Sequence, residues 1–140
     1  MRVYLANKMT GIPRFNYPWF YEAADVLRGL GHEVVSPAEI DTPEEQHAFY
    51  ESPDGLGWPG EARSWGEILA GDVKLIADGG IDAIVVGPEW ADSQGARLET
   101  FVATQLGLPV LRYPDLQQLE SFDLTKGWAK ALAKVPVHVA

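Results

Sequence analysis

Residues 81–112 read IDAIVVGPEWADSQGARLETFVATQLGLPVLR, and their pattern decides the fold class. Ile81–Val86 is a short, almost uninterrupted apolar run rich in β-branched residues, the signature of a strand buried on both faces. Gly87-Pro88 breaks it. Ser93 is a good N-cap for a helix across 94–107, which Gly107 closes. Leu108–Arg112 is then a second strand. Strand, helix, strand within about thirty residues implies a right-handed crossover and a parallel sheet covered on both faces.

The same alternation extends outward. Upstream, Ser64 starts a helix to about Asp78, with Trp65, Ile68, Leu69, Val73, Leu75 and Ile76 at apolar positions, and Gly79-Gly80 ends it. Residues 2–6 (RVYLA) form a β-prone run that stops at Asn7. Thr10-Gly11-Ile12-Pro13 reads as a loop, Asn16 as an N-cap, and Pro18 fits a first helical turn. From Trp19 to Leu30 the apolar residues follow the helical period, with Gly31 as a C′ residue. Residues 32–36 form another strand, ended by Pro37. Residues 37–63 carry four prolines and three glycines around a weakly helical acidic stretch at 43–51, and a segment this long is usually functional or mobile. Downstream, an amphipathic helix is expected around 124–134, followed by a short apolar end. The expected architecture is an open α/β sandwich with four or five mainly parallel strands. Such sheets place their sites at the carboxyl ends of the strands. The loop after residue 6, the segment after residue 36 and the turn at 87–95 therefore converge.

At 140 residues the chain fits one domain, 1–140. Eleven basic against twenty acidic residues give a net charge of -9 with no basic cluster, which argues against a nucleic-acid polymer as partner. There is no cysteine, so disulfides, thiolate nucleophiles and cysteine-ligated metals are excluded. His32, His47 and His138 lack ligand spacing, and neither a metal nor an organic cofactor is expected. No apolar run approaches membrane length, and the start is too short and polar for a signal peptide, so a cytoplasmic protein is expected.

Several motifs have two readings. Gly55-Leu56-Gly57-Trp58-Pro59-Gly60 matches GxGxxG by letter, but no buried strand precedes it and Pro59 opens no helix. A mobile lid carrying Trp58 is the better reading. Ser93-Gln94-Gly95-Ala96 brings a helix N-terminus to the end of the best strand, either as a small anion site or as a helix that merely caps itself. Glu99, in the second turn, is a solvated face residue or a cleft nucleophile. Asp72 either lies on a polar stripe or is a buried acid with a raised pKa. Tyr4 either packs the core or points its hydroxyl at the strand end. Two cleft carboxylates without metal or cysteine suit glycoside-type chemistry, but spacing alone does not choose that over a ligand-binding module.

The segments MRVYLANKMTGIPRFNYPWF, LRGLGHEVVSPAEI, SWGEILAGDVKLI and DAIVVGPEWADSQGARLETFVATQLGLPVL resemble, in order, the nucleoside 2-deoxyribosyltransferase-like superfamily. The likeness is greatest to its small bacterial and phage branch, with phrases YLAGPMTG, GHEVVNPAE and SxGAxxE, and the superfamily includes relatives that hydrolyse 2′-deoxynucleoside 5′-monophosphates. It covers about residues 1–113, leaving 114–140 as a C-terminal extension. It implies a flavodoxin-like fold that cleaves or exchanges the N-glycosidic bond of a (deoxy)nucleoside or its 5′-monophosphate. The catalytic roles carry over to Glu99 as nucleophile, Asp72 as acid assisting base departure, and Tyr4 as positioner.

The resemblance also implies that a small-molecule nucleoside or nucleotide is the partner. Ser93 stands where the monophosphate hydrolases have a serine, and a hydroxyl at a helix N-terminus suits a phosphate better than a carboxylate does. Asp92 is adjacent, and a one-residue slip would restore the transferase pattern. Gly95 would allow close ligand approach. Asn7, Lys8 and Met9 occupy the first loop, where Asn7 replaces a glycine and Lys8 could add a phosphate contact. Arg97 stands where some hydrolases have a small residue, to pair with a phosphate or to narrow the pocket. A nucleotide-binding or sensing module without catalysis, and a structural phage-type protein, are the competing readings. A homodimer or higher homo-oligomer is also implied, and the aromatic run Phe15, Tyr17, Trp19, Phe20, Tyr21 exceeds what one helix face can bury.

Overall fold

A computed structural model describes residues 1–136. His138 and most of the expected apolar end lie outside the described residues. Four strands, β1 (Arg2–Ala6), β2 (Glu33–Val35), β3 (Ala83–Val86) and β4 (Val110–Arg112), form an all-parallel sheet in the order β2-β1-β3-β4. The helices are α1 (Tyr17–Gly29), α2 (Pro37–Ile40), α3 (Pro43–Tyr50), α4 (Trp65–Asp78), α5 (Gln94–Gln105) and α6 (Ser121–Ala129). The order is that of a flavodoxin-like sheet without a fifth strand, and the chain reverses its direction of travel across the sheet between β1 and β3.

Alternation along the central strands builds two cores. Val3, Leu5, Ala83 and Val85 face α1, packing on Phe20, Ala23, Ala24 and Leu27. Tyr4, Ala6, Ile84 and Val86 face the other way, onto Ile76 of α4, Ala96 and Ala103 of α5 and Leu124 of α6. The sandwich thus has three layers, and every side chain of β3 is buried because both faces are covered.

Four expectations change locally. The acidic stretch at 43–51 is a full helix, α3, because Thr42 and Glu45 form a capping box that satisfies its first turn. Asn16 sits at the N-cap position of α1 but does not cap it; its amide donates to the Lys8 carbonyl at 2.7 Å. This follows from a left-handed turn through Arg14, Phe15 and Asn16 (φ 59°, 50° and 62°), which aims the Asn16 side chain away from its own helix. The last helix starts three residues earlier than expected, at Ser121, and tightens into a 3-10 helix over Lys130–Lys134. The aromatic run 15–21 is absorbed inside the chain: Phe15, Tyr17 and Phe20 are buried and Trp19 and Tyr21 half-buried, so it offers no apolar dimer face. Among the described residues no helix is long and apolar enough to cross a membrane.

Candidate active site

The reversal between β1 and β3 leaves a crevice at their carboxyl ends, and a cavity of about 540 Å³ occupies it. That volume suits a small organic ligand. Glu99 reaches its wall because α5 starts at the end of β3: Ser93 Oγ accepts the Ala96 N–H, and the sixth residue of the helix then faces the sheet. There the fully buried Tyr4 donates its hydroxyl to Glu99 Oε2 at 2.5 Å. Glu99 is 6% exposed and lines the cavity. Asp72 projects into the same cavity from α4, whose start is fixed by a Ser64–Glu67 capping box. The structure therefore brings Tyr4, Asp72 and Glu99 together from three elements that are distant in sequence.

The electrostatics of this trio are those of uncompensated acids. Burial pushes the Glu99 carboxyl well above the usual carboxylate range, and the charge of Asp72 adds to the shift. The hydrogen bond from Tyr4 pulls the other way. Asp72 is raised to about 7, first by burial and then by the charge of Asp41. Burial and the Glu99 charge together hold the Tyr4 hydroxyl firmly protonated, a donor at any physiological pH. Among the described residues no Lys or Arg forms a hydrogen bond or ion pair with Glu99 or Asp72, although the Arg63 charge does lower Asp72. The Tyr4 hydroxyl lowers both acids, but burial outweighs these effects and holds both above the usual carboxylate range, so the two cannot ionise freely together.

The remaining expected residues divide into those that face the cavity freely and those already engaged. Lys8, Met9 and Trp58 line it. Trp58 packs edge-on to Phe49 (5.2 Å between centroids) and Trp65 (6.0 Å), and its indole N–H donates to the Arg63 carbonyl. Asn7 lines the cavity too, but its amide is committed to Glu89 at both ends, Nδ2 to the carboxylate at 2.9 Å and Oδ1 from the Glu89 N–H at 3.0 Å. A Cβ at Gly87 would lie 2.3 Å from Asn7 Nδ2, so that glycine allows the clasp to form.

Ser93 caps its own helix while lining the cavity, and Asp92 at the rim is paired with Lys130 at 2.9 Å. Gly95 admits the Trp65 ring, which a Cβ there would meet at 2.9 Å. Arg97 does not reach the cavity. It is buried and donates to the Ala91 carbonyl at 2.9 Å, bracing the turn before α5. Gly55 belongs to no strand–turn–helix unit: it lies against the Ile12 carbonyl, and its own carbonyl accepts the Gly11 N–H at 2.8 Å.

Sequence reading missed a second acidic cluster. Asp41 lines the cavity and is 8% exposed, and the Tyr17 hydroxyl donates to its Oδ2. Arg63 Nη2 lies 3.6 Å from Asp41 Oδ1, while Arg63 Nε is 3.0 Å from Glu45. Glu45, almost wholly buried, also accepts the Arg63 backbone N–H. These bonds hold its carboxyl down at about 2 and tie the Trp58 segment to α3. The signal available was Thr42-Pro43-Glu44-Glu45, whose T-x-x-E spacing marks a helix start and fixes Asp41 just before it. Among the described residues no group of His, Asp and Glu is arranged to hold a metal ion.

Comparison with known proteins first defines the class. Among solved structures the chain is similar to the 2-deoxyribosyltransferase of the psychrotolerant bacterium Bacillus psychrosaccharolyticus, with a TM-score of 0.57 and 22% identity over 91% of this chain and 82% of that one. The likeness establishes a shared flavodoxin-like α/β fold. The chain itself belongs to the DUF4406 family, a domain of unknown function, whose model matches residues 1–112. No curated protein matches it. All residues of the trio fall inside the family domain, and α6 falls outside it.

Proposed function

We propose that the protein cleaves or exchanges the N-glycosidic bond of a (deoxy)nucleoside or its 5′-monophosphate. The observation that carries this reading is the Tyr4–Glu99 hydrogen bond beside Asp72 in one cavity. Glu99 attacks C1′ of the sugar, forming a glycosyl ester as the C1′–N bond breaks and its electron pair goes to the base. Asp72 gives its proton to the departing base. The resulting Asp72 carboxylate takes a proton from water, which attacks C1′ and frees Glu99, or a second base takes the water's place. Tyr4 holds Glu99 in line without touching the substrate. Ser93 and the first turn of α5, with Lys8 opposite, receive the 5′ end of the sugar, and Trp58 covers the base. Oligomerisation belongs to the same reading, supported by the exposed Leu98 and Phe101 on α5; a monomeric sedimentation profile at micromolar concentration would remove it.

The test is release of free base from a panel of nucleosides and 5′-monophosphates, with and without an acceptor base, for wild type and Glu99→Ala. Glu99-dependent release is expected. Release without acceptor marks a hydrolase, and release only with acceptor marks a transferase. Absence of turnover across the panel overturns the reading in favour of a binding module.

A further inference from the structure

The acid that sequence reading missed gives the cavity a second pole. At its aromatic end, Phe15, Phe49, Trp58 and Trp65 form flat apolar walls suited to a planar heterocycle. Asp41 and Asp72 both line this cavity, close enough for the charge of Asp41 to act on Asp72. Their surroundings separate them. Burial raises Asp41 too, but the Tyr17 hydroxyl on Oδ2 and the Arg63 guanidinium 3.6 Å from Oδ1 pull it back down, which makes it the better-supported anion of the two. No hydrogen bond ends on Oδ1 among the described residues. Its nearest cation, Arg63, stands 3.6 Å away, so Oδ1 keeps capacity to accept a hydrogen bond, in a residue that lines the cavity. Asp72 has no direct hydrogen bond or ion pair among the described residues, and although the Tyr4 hydroxyl and the Arg63 charge lower it, burial raises it to about 7, so it is the one with a proton to donate.

We propose that Asp41 and Asp72 read the leaving base as an acceptor–donor pair, selecting bases that carry an exocyclic amino group. Asp41 Oδ1 accepts the amino N–H, and Asp72 donates to the ring nitrogen beside it. In a 6-aminopurine those atoms are the 6-amino group and N7, and protonation at N7 is what weakens the bond from C1′ to N9. In a 4-aminopyrimidine they are the 4-amino group and N3. An oxo group in the amino position would set its oxygen against Asp41 Oδ1, acceptor against acceptor, leaving a buried charge without its partner. The inference rests on the N-glycosidase reading of the site and names the base that reading leaves open.

The measurement is calorimetric binding of two matched pairs, deoxyadenosine with deoxyinosine and deoxycytidine with deoxyuridine, each also as the 5′-monophosphate, beside base release from the same compounds. Wild type is expected to favour the amino member of at least one pair by roughly tenfold or more. In Asp41→Asn the amide can turn its N–H toward an oxo group, so the ratio should fall to near one or reverse. A purely structural role for Asp41 would weaken both members equally and leave the ratio unchanged, which overturns the proposal. So does an equal affinity for amino and oxo members in wild type, a result that needs no variant to fold, and so does binding of neither pair. An Asp41-dependent amino preference without base release sustains the proposal and sinks the catalytic reading; base release without preference does the reverse. Tyr17→Phe leaves the Asp41 charge in place and should keep the direction of the preference.

Discussion

Two tyrosine–carboxylate pairs stand in this molecule, and they differ in what lies behind them. Tyr4 and Glu99 meet between the sheet and α5; Tyr17 and Asp41 meet between α1 and the start of α3. Each buries a phenol that donates to an acid. Behind Asp41, however, stand Arg63 and through it Glu45, so the charge is answered by a cation. Behind Glu99 stands another acid, Asp72; burial raises both, as it raises Asp41, but among the described residues neither has a cation within ion-pair distance. A buried carboxylate with a cation is a fixed anchor, whereas two without one form an arrangement the fold tolerates at a cost. The first kind holds shape or reads a ligand. The second is where a nucleophile and a proton donor are found together.

The comparison breaks most directly at Glu99. Glu99→Gln removes the nucleophile while keeping the volume and an acceptor for Tyr4, and base release should fall about 10⁴-fold or more. Because the acid is uncompensated, its loss should leave the thermal midpoint unchanged or higher. A drop in stability to match the loss of activity would mean that Glu99 is structural after all.

Asp72→Asn comes next, with an expected loss of about 10²–10³-fold as proton donation disappears. Its pH signature has a definite sign. The folded-state pKa, about 7, lies above the ordinary 3.8, so the folded chain holds a proton the unfolded chain has released between those values. The stability Asp72 contributes is full below about 3.8 and is lost as pH rises toward 7. Wild-type base release should likewise decline above about 7. Urea denaturation and rates across this range should both flatten in the variant. Glu45 has the opposite sign: held down at about 2 from 4.5, it contributes stability above 4.5 that is lost as pH falls toward 2.

What the sequence could tell followed the same division. The elements of the Glu99 side were legible because they are periodic: an unbroken apolar strand, a serine cap and a helix put residue 99 in the second turn, and alternation along RVYLA gives Tyr4 the same side as Ala6. Periodicity left Glu99 facing either solvent or cleft, and only the family resemblance pointed it inward. The Asp41 side was hidden because it is assembled from contacts across long separations. Nothing local tells that Arg63 reaches back to Glu45, or that a left-handed turn at 14–16 swings Asn16 off its helix to hold Lys8. Arg97 misled for the same reason. Its type suggests a phosphate, but its place in the first turn of α5 lets it reach the carbonyl of Ala91, six residues back.

Arg63→Met tests the anchored side. It strips the cation from Glu45 and Asp41 and releases the Trp58 segment. Because Arg63 is itself about two-fifths exposed, the loss is less than for a fully buried pair, about 2 kcal/mol in urea denaturation. Base release should fall less than in Asp72→Asn, mainly through KM, since Arg63 bonds no member of the trio and only its charge reaches Asp72.

The smallest effect is expected at Thr42, and it is the most selective. Thr42 Oγ1 accepts the Glu45 N–H at 3.2 Å, while Glu45 Oε1 accepts the Thr42 N–H at 2.9 Å. Thr42→Ala removes one half of this box and should cost about 1 kcal/mol. It leaves the Glu45–Arg63 bonds formed, so their acid limb between pH 4.5 and 2 should persist on a lowered curve. If that limb vanished with the cap, Glu45 would depend on the start of α3 for its position. The anchor would then be the helix end, with the ion pair resting on it.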